Sequence, residues 1–180
     1  MTPPEWPEAR QIETTRLTLE PLRVEHAEEL AATLDDPGLH EFIGGSPATA
    51  DELRARFARQ VVGHSPDAGE GWLNWVIRLG DTGEAAGTVQ ATVRRTGALV
   101  SADVAWVVAS AYQGRGIASE ASGAMAAWLR EQGVDQIVAL VHPDHSASST
   151  VARRLGLTPT DDLVDGEVRW VSDLSGPESP

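Results

Sequence analysis

A glycine-rich stretch, Gln113-Gly114-Arg115-Gly116-Ile117-Ala118, joins an apolar segment to a segment with helical periodicity. Glycine lets the backbone approach a phosphate where a β-carbon would collide. The first turn of a helix also has backbone N–H groups without intrahelical partners. A strand, a glycine turn and a helix N-terminus in this order can bind an anion. The stretch therefore predicts a site for a phosphate-bearing cofactor.

Two other interpretations apply to the same loop. A dinucleotide-binding loop follows the first strand of a parallel sheet, whereas this loop follows a predicted hairpin meander. The plainer alternative is a glycine-rich joint between a strand and a helix that binds no ligand.

The elements around the loop follow from hydrophobic periodicity, with period two for strands and 3.6 for helices. The sequence predicts strands over 16–20, 72–79, 85–93, 98–108, 136–141, 158–164 and 167–171. It predicts helices over 24–34, about 49–62 with a capping box of Thr49 and Glu52, 117–130, and a short one ending at Gly156. Because segment 136–141 is continuously apolar, it is predicted to be buried on both faces and to run parallel to 98–108. We expect one domain over 12–172, a flexible N-terminal arm over 1–11 and a flexible C-terminal tail over 173–180.

Composition excludes several classes of site. The net charge is −13 and the isoelectric point about 4.7, which argues against a nucleic-acid-binding surface. The chain has no cysteine, so a thiolate nucleophile and cysteine-ligated zinc are excluded. His142-Pro143-Asp144-His145 has metal-ligand residue types, but so close in a proline-containing loop they do not converge well, and no metal site is predicted. No membrane segment and no signal peptide are predicted, so a cytoplasmic location is expected.

Several motifs resemble the GCN5-related N-acetyltransferase (GNAT) family. Gln113-x-x-Gly116-x-Ala118 is similar to its acetyl-CoA signature, and the segment from Val141 to Leu157 is similar to its second signature, with His145 in place of the usual asparagine. The resemblance covers about residues 12–172 and is closest to the ribosomal-protein (RimJ/RimL-like) branch. Three further segments fit the opening strand, the middle hairpin and the closing strand of the family: 16–22, 83–89 and 166–170.

The resemblance implies an α/β fold with a mixed, mostly antiparallel sheet of six to seven strands, flanked by helices. Two central parallel strands would splay apart, and the pantetheine arm of acetyl-CoA, the co-substrate, would lie in the gap. Backbone N–H groups near Val107 and Val108 would stabilise the oxyanion, and His145 would contact the pantetheine or the strand end. The pyrophosphate would be held by Gln113, Gly114, Arg115, Gly116, Ile117, Ala118 and Ser119.

Two residues are candidates for the chemistry. Asp103, on the strand before the loop, matches a position often held by a glutamate base; the alternative is a solvated carboxylate on a strand. Ser148 matches the serine that this branch uses where others have a tyrosine, and the tyrosine position here is Ala152. Ser148 either donates a hydrogen bond to the sulfur of CoA or only satisfies backbone in the first helical turn.

The expected acceptor is a primary amine. Phe42, Trp75 and Trp106 are candidates to line the acceptor groove. The acidic composition suits a cationic amine, and the plainer alternative is that it serves solubility. We expect a monomer or homodimer. The alternative function is an acyl-CoA-binding module of the same fold without catalytic activity.

Overall fold

The computed structural model describes residues 5–41 and 45–174, which form one eight-stranded sheet between helices. The strands are β1 Ile12–Glu13, β2 Leu17–Pro21, β3 Glu70–Leu79, β4 Ala85–Thr96, β5 Leu99–Val108, β6 Gln136–Val141, β7 Thr158–Val164 and β8 Glu167–Val171. The helices are α1 Ala27–Thr33, α2 Ala50–Gln60, α3 Ile117–Glu131 and α4 Ser146–Arg154, and 3₁₀ turns cover Val24–His26, Pro37–His40 and Ser110–Tyr112. None of the helices in the described ranges is both long and apolar enough to cross a bilayer.

The strand order is β1-β2-β3-β4-β5-β6-β8-β7, and among the described strands only β5 and β6 are parallel neighbours. The predicted class, an α/β fold with a mixed and mostly antiparallel sheet, is confirmed. The sheet has one strand more than the six to seven expected. The additional strand, β1, is only two residues long, so it leaves no readable alternation in the sequence.

The two faces of the sheet carry different helices. One core cluster joins α3 and α4 to the sheet through residues such as Trp75, Met125 and Ala152. A smaller cluster joins α1 and α2 to the other face through Leu53 and Val76. Because side chains alternate along a strand, odd-numbered residues of β3 such as Trp75 face α3, and even-numbered ones face α2.

Residues 5–11 pack onto the sheet through Trp6 and Ala9, although the proline and glutamate content of 1–11 predicts a flexible arm. Trp6 packs against the core so closely that a β-carbon on Gly71 would lie 2.8 Å from its ring. The Arg10 carbonyl accepts a hydrogen bond of 2.8 Å from the indole N–H of Trp75. These contacts are made by residues more than 60 positions apart, so local composition could not reveal them. Residues 175–180 of the predicted tail lie outside the described residues.

Candidate functional site

A gap opens between the two parallel strands. β5 and β6 pair only over Ser101–Asp103 and Gln136–Val138. Beyond that point each strand keeps a partner only on its other side: β4 for β5, and β8 for β6. One backbone edge of each strand is therefore left without a strand partner, and such an edge can hydrogen-bond an extended ligand.

The glycine-rich loop lies at the open end of this gap. The side-chain amide of Gln113 donates a 2.9 Å hydrogen bond to the carbonyl of Val108, which ties the loop to the end of β5. Gly114 and Gly116 have φ values of +77° and +75°, a conformation that strains other residues. Gly116 is the N-cap of α3 and supplies no side-chain cap. The first-turn amides of α3 thus have no side-chain cap at this end of the gap, as an anion site requires.

The other predicted loop residues divide into anchors and exposed groups. Ile117 is buried, and Ala118 packs against the same core, so these two hold the start of α3 on the sheet. The Arg115 guanidinium lies 5.7 Å from the centre of the Tyr112 ring and is exposed. The Ser119 hydroxyl accepts a hydrogen bond of 3.3 Å from Arg154. The structure therefore brings the predicted phosphate-binding residues together and adds Arg154 beside them.

A clamp that sequence reasoning missed supports the loop from behind. Arg16 donates one hydrogen bond of 2.9 Å to the Arg115 carbonyl and another of 2.8 Å to Glu120. Thr14 donates to the second oxygen of Glu120 at 2.6 Å. Burial opposes ionisation of Glu120, but the hydrogen bonds from Thr14 and Arg16 outweigh it and lower the pKa of this carboxyl. Glu120, in the first turn of α3, thus links this helix to the residues around the start of β2.

We expect the clamp to be required for tight binding of the cofactor's phosphates. Arg16→Gln removes the charge and cannot reproduce both hydrogen bonds, so the loop loses its support and CoA should bind about tenfold more weakly. Calorimetry with CoA measures this effect. S-acetyl-pantetheine lacks the pyrophosphate and should bind equally to both proteins. Arg130→Gln, at the far end of α3, is the matched control; equal weakening of both ligands in Arg16→Gln would contradict the clamp.

The start of α4 borders the gap on the other strand. The His145 ring is the N-cap, since its Nδ1 accepts a 3.2 Å hydrogen bond from the Ser148 N–H. This bond requires an unprotonated Nδ1. Burial lowers the pKa of His145, the nearby His142 lowers it further, and Glu41 acts in the opposite direction. His145 thus takes the capping role of an asparagine, with a group that titrates.

The His145 cap predicts a pH-dependent stability. The neutral ring is favoured in the folded state, so stability is complete above the ordinary pKa of 6.5 and decreases as the pH falls below it. His145→Asn keeps a cap that does not titrate, and its unfolding midpoint should decrease less between pH 8 and pH 5. His145→Ala should lose about 1 kcal/mol already at pH 8. Burial also lowers the pKa of His26. All three proteins contain His26, so its contribution to the pH dependence cancels in the comparison. Parallel pH curves for wild type and His145→Asn would contradict the assignment.

Asp103 lies in the paired part of the sheet. It is the last residue of the β5–β6 ladder, and it forms an ion pair with Arg94, which also binds Glu70 at 2.8 Å. Val107 is four residues further along β5, a distance of about 13 Å at the usual rise of a strand. Asp103 is thus a partner of Arg94 at the point where β5 and β6 separate, and its role as a catalytic base stays a prediction. The strand register and the cross-strand ion pair are not visible in the sequence.

The predicted acceptor residues have different positions. Trp75 is fully buried, and its ring meets Trp128 edge-on at 5.5 Å, so its indole packs in the core, while its residue also borders the groove described next. Trp106 is half-buried and packs against the same core, while its residue also borders the groove described next. Phe42 lies outside the described residues.

A groove runs between α2 and the sheet, on the face that carries α1 and α2. Its end near the gap is mainly apolar and includes Leu22, Leu34, Phe57, Ala105 and Val107, with His40 at its margin. Its other end is polar and is lined by Arg56, Arg59, Gln60, Trp72, Asn74, Gln90 and Thr92, of which Arg56, Gln60, Asn74 and Gln90 border both ends. No aspartate or glutamate is among the described residues that line either end. Within ranges 5–41 and 45–174, no group of three or more His, Asp or Glu side chains could hold a metal ion.

Comparisons with known proteins agree with this geometry. Residues 16–158 match the family described as acetyltransferase (GNAT) domain. A protein from Bordetella pertussis assigned to GNAT acetyltransferases is 27% identical, with a TM-score of 0.68 over 90% of this chain and 97% of that one. The ribosomal-protein-S5-alanine acetyltransferase from Vibrio fischeri has 17% identity and a TM-score of 0.73, over 92% and 97%. RimL, a ribosomal L7/L12 α-N-protein acetyltransferase solved with coenzyme A, has 20% identity and a TM-score of 0.66, over 91% and 98%.

No curated protein sequence matches. The family match spans most of the chain, from β2 through the gap and loop to the start of β7, and on this ground the chain belongs to the GNAT acetyltransferase family.

Proposed function

We propose that the protein transfers an acetyl group from acetyl-CoA to a primary amine by direct attack in a ternary complex. The observation that carries the proposal is the gap between β5 and β6, whose open end is bordered by the starts of α3 and α4. The free edge of β5 suits the amides of a pantetheine arm, and the loop at Gly114 and Gly116 suits the pyrophosphate.

The reaction needs an oxyanion donor beside the thioester. The Val107 carbonyl lies so close to Gly87 that a β-carbon there would be 1.9 Å from its oxygen. In a trans peptide the N–H lies opposite the carbonyl, so the Val108 N–H is directed away from β4 and toward the free edge. This supports Val108 as the donor that would stabilise the tetrahedral oxyanion.

The remaining groups are assigned by where each proton of the reaction goes. The amine gives one proton to solvent and attacks the thioester carbonyl as the neutral form, since Asp103 is paired with Arg94. The C–N bond forms to give the tetrahedral oxyanion, which collapses with cleavage of the C–S bond. The nitrogen loses its second proton to solvent, and the CoA thiolate leaves and takes up a proton from solvent. Ser148, in the first turn of α4, would donate a hydrogen bond to that sulfur. A thiolate is a moderate base, so a hydroxyl is a sufficient donor.

Substitution of Ser148 tests this role. Ser148→Ala should lower kcat about tenfold and leave CoA affinity unchanged, because the hydroxyl acts on the leaving sulfur and not on the phosphates. Ser146→Ala, at an exposed position of the same helical turn, is the matched control. Steady-state kinetics and calorimetry separate the two quantities. An unchanged kcat would limit Ser148 to its backbone role.

A binding module that does not catalyse transfer is the second candidate. Two observations favour it: Asp103 is paired with Arg94, and Ala152, at the usual tyrosine position, is fully buried and presents no donor. Thiol release from acetyl-CoA with peptides, polyamines and aminoglycosides distinguishes the candidates. Turnover with any amine supports the transferase; tight CoA binding without turnover supports the module. The chain contains no lysine, so its own side chains do not compete as acceptors. A cytoplasmic location stays a prediction.

A further inference from the structure

The groove between α2 and the sheet has a charge opposite to that of the protein. Aspartate and glutamate make up 27 of 180 residues, and the net charge is −13. The described lining of the groove nevertheless contains arginine and histidine and no carboxylate. A cationic acceptor would find no carboxylate among these lining residues, and Asp103, the cross-strand partner of the lining residue Thr92, is paired with Arg94.

Two arginines on one flank of α2 give the polar end its charge. Arg56 and Arg59 are three positions apart, so they lie on neighbouring turns of the same side. Both are exposed, and neither has an ion pair among the described residues. Arg54, on the other flank, is neutralised by Asp51 and by Glu28 at 2.7 Å. One flank of α2 therefore carries an arginine with ion-pair partners in this protein, whereas the two arginines on the other flank line the groove.

The two ends of the groove are separated by a distance that a short extended chain can span. Val107 and Thr88 are paired at the apolar end, and Thr92 on the same strand lies at the polar end. Four residues of strand correspond to about 13 Å. Between the ends, Asn74 and Gln90 are cross-strand partners whose amides can hydrogen-bond a peptide backbone.

We infer that the acceptor is an acidic peptide N-terminus, whose amine lies near Val107 and whose carboxylate at the third or fourth residue binds Arg56 and Arg59. The inference rests on the proposed transferase function and specifies its substrate class. Guanidinium groups bind carboxylates in a bidentate fashion. The apolar end would hold small first residues. Positive charge along the groove also favours the neutral, nucleophilic form of the amine.

Three hexapeptides that differ only at the third residue, glutamate, glutamine or lysine, test the inference by thiol release from acetyl-CoA. We expect kcat/KM for the glutamate peptide to exceed that for glutamine by at least about tenfold, mainly through KM. The double substitution of Arg56→Gln and Arg59→Gln should abolish the difference. Arg56→Glu with Arg59→Glu should reverse it in favour of the lysine peptide. Arg54→Gln, on the paired flank, should keep the wild-type order.

Binding measured without turnover separates this inference from the proposed function. The glutamate peptide, blocked as its N-acetyl product, should bind the CoA-loaded protein more tightly than the glutamine product, and the double glutamine variant should lose that preference. If no amine is acetylated but this preference persists, the transferase proposal fails and the anionic site stands. Equal acetylation of the three peptides, uniform loss in the arginine variants, or preference for small amine phosphates over the glutamate peptide would each overturn the inference.

Discussion

Gly87→Ala is expected to destabilise the protein by about 3 kcal/mol or more. A β-carbon at this position would lie 1.9 Å from the Val107 oxygen and 2.9 Å from the Val108 Cα. These are backbone atoms of the adjacent strand, so they cannot move aside as a flexible side chain could. Gly87 is buried between Ile77 and Val108, in the centre of the sheet, which leaves no room for relaxation. Thermal unfolding should begin about 10 °C lower.

Gly123→Ala is the matched control for this prediction. Gly123 lies inside α3, and no atom lies within 4 Å of a β-carbon placed on it. Alanine is the better helix former, so this variant should be more stable than wild type by about 0.5–1 kcal/mol. Gly87→Ala with wild-type stability would show that β5 moves freely at Val107, and the proposed oxyanion donor at Val108 would lose its structural support.

Gly116→Glu is expected to weaken CoA binding about 100-fold or more, which corresponds to roughly 3 kcal/mol. Gly116 has a φ of +75° and caps α3, so any side chain there is strained. The carboxylate would also place negative charge where the pyrophosphate is proposed to lie, and it would compete for Arg16, whose Nη2 is 3.5 Å from the β-carbon position. Calorimetry with CoA measures the loss directly.

Gly133→Glu separates strain from ligand binding. Gly133 lies just beyond the other end of α3, with a φ of +90° and nothing within 4 Å of an added β-carbon. The α3 helix of 15 residues places it about 22 Å from Gly116. Both variants should lose folding stability, and only Gly116→Glu should lose CoA affinity. Wild-type CoA binding by Gly116→Glu would show that the loop is not the phosphate site.

The local elements of the site could be predicted from the sequence because their signals are local. The glycines before Ile117 specify the left-handed turn and the helix start within a few residues, and the structure has both. The capping box of Thr49 and Glu52 is likewise confirmed, with hydrogen bonds of 2.9 and 3.2 Å. Asp165 and Gly166, both with positive φ, form the turn between the strands predicted over 158–164 and 167–171. The role of His145 as an N-cap needed the structure, since asparagine and histidine differ in reach and in titration.

The sequence by itself determined the periodicity of the strands and helices, the glycine-rich loop before α3 and, through its motifs, the family. Each of these depends on residues close together in the chain or on motifs that keep their spacing. Only the tertiary structure decided which charges neutralise each other and which remain for a ligand. Asp103 forms an ion pair with Arg94, Glu120 with Arg16, and Arg54 with Asp51. Arg56 and Arg59, in contrast, line a groove. Composition gives the number of charges, but strand register and helix orientation set the distances between them. Because charges interact strongly over only a few ångströms, these distances decide which charges pair and which remain in the gap and the groove.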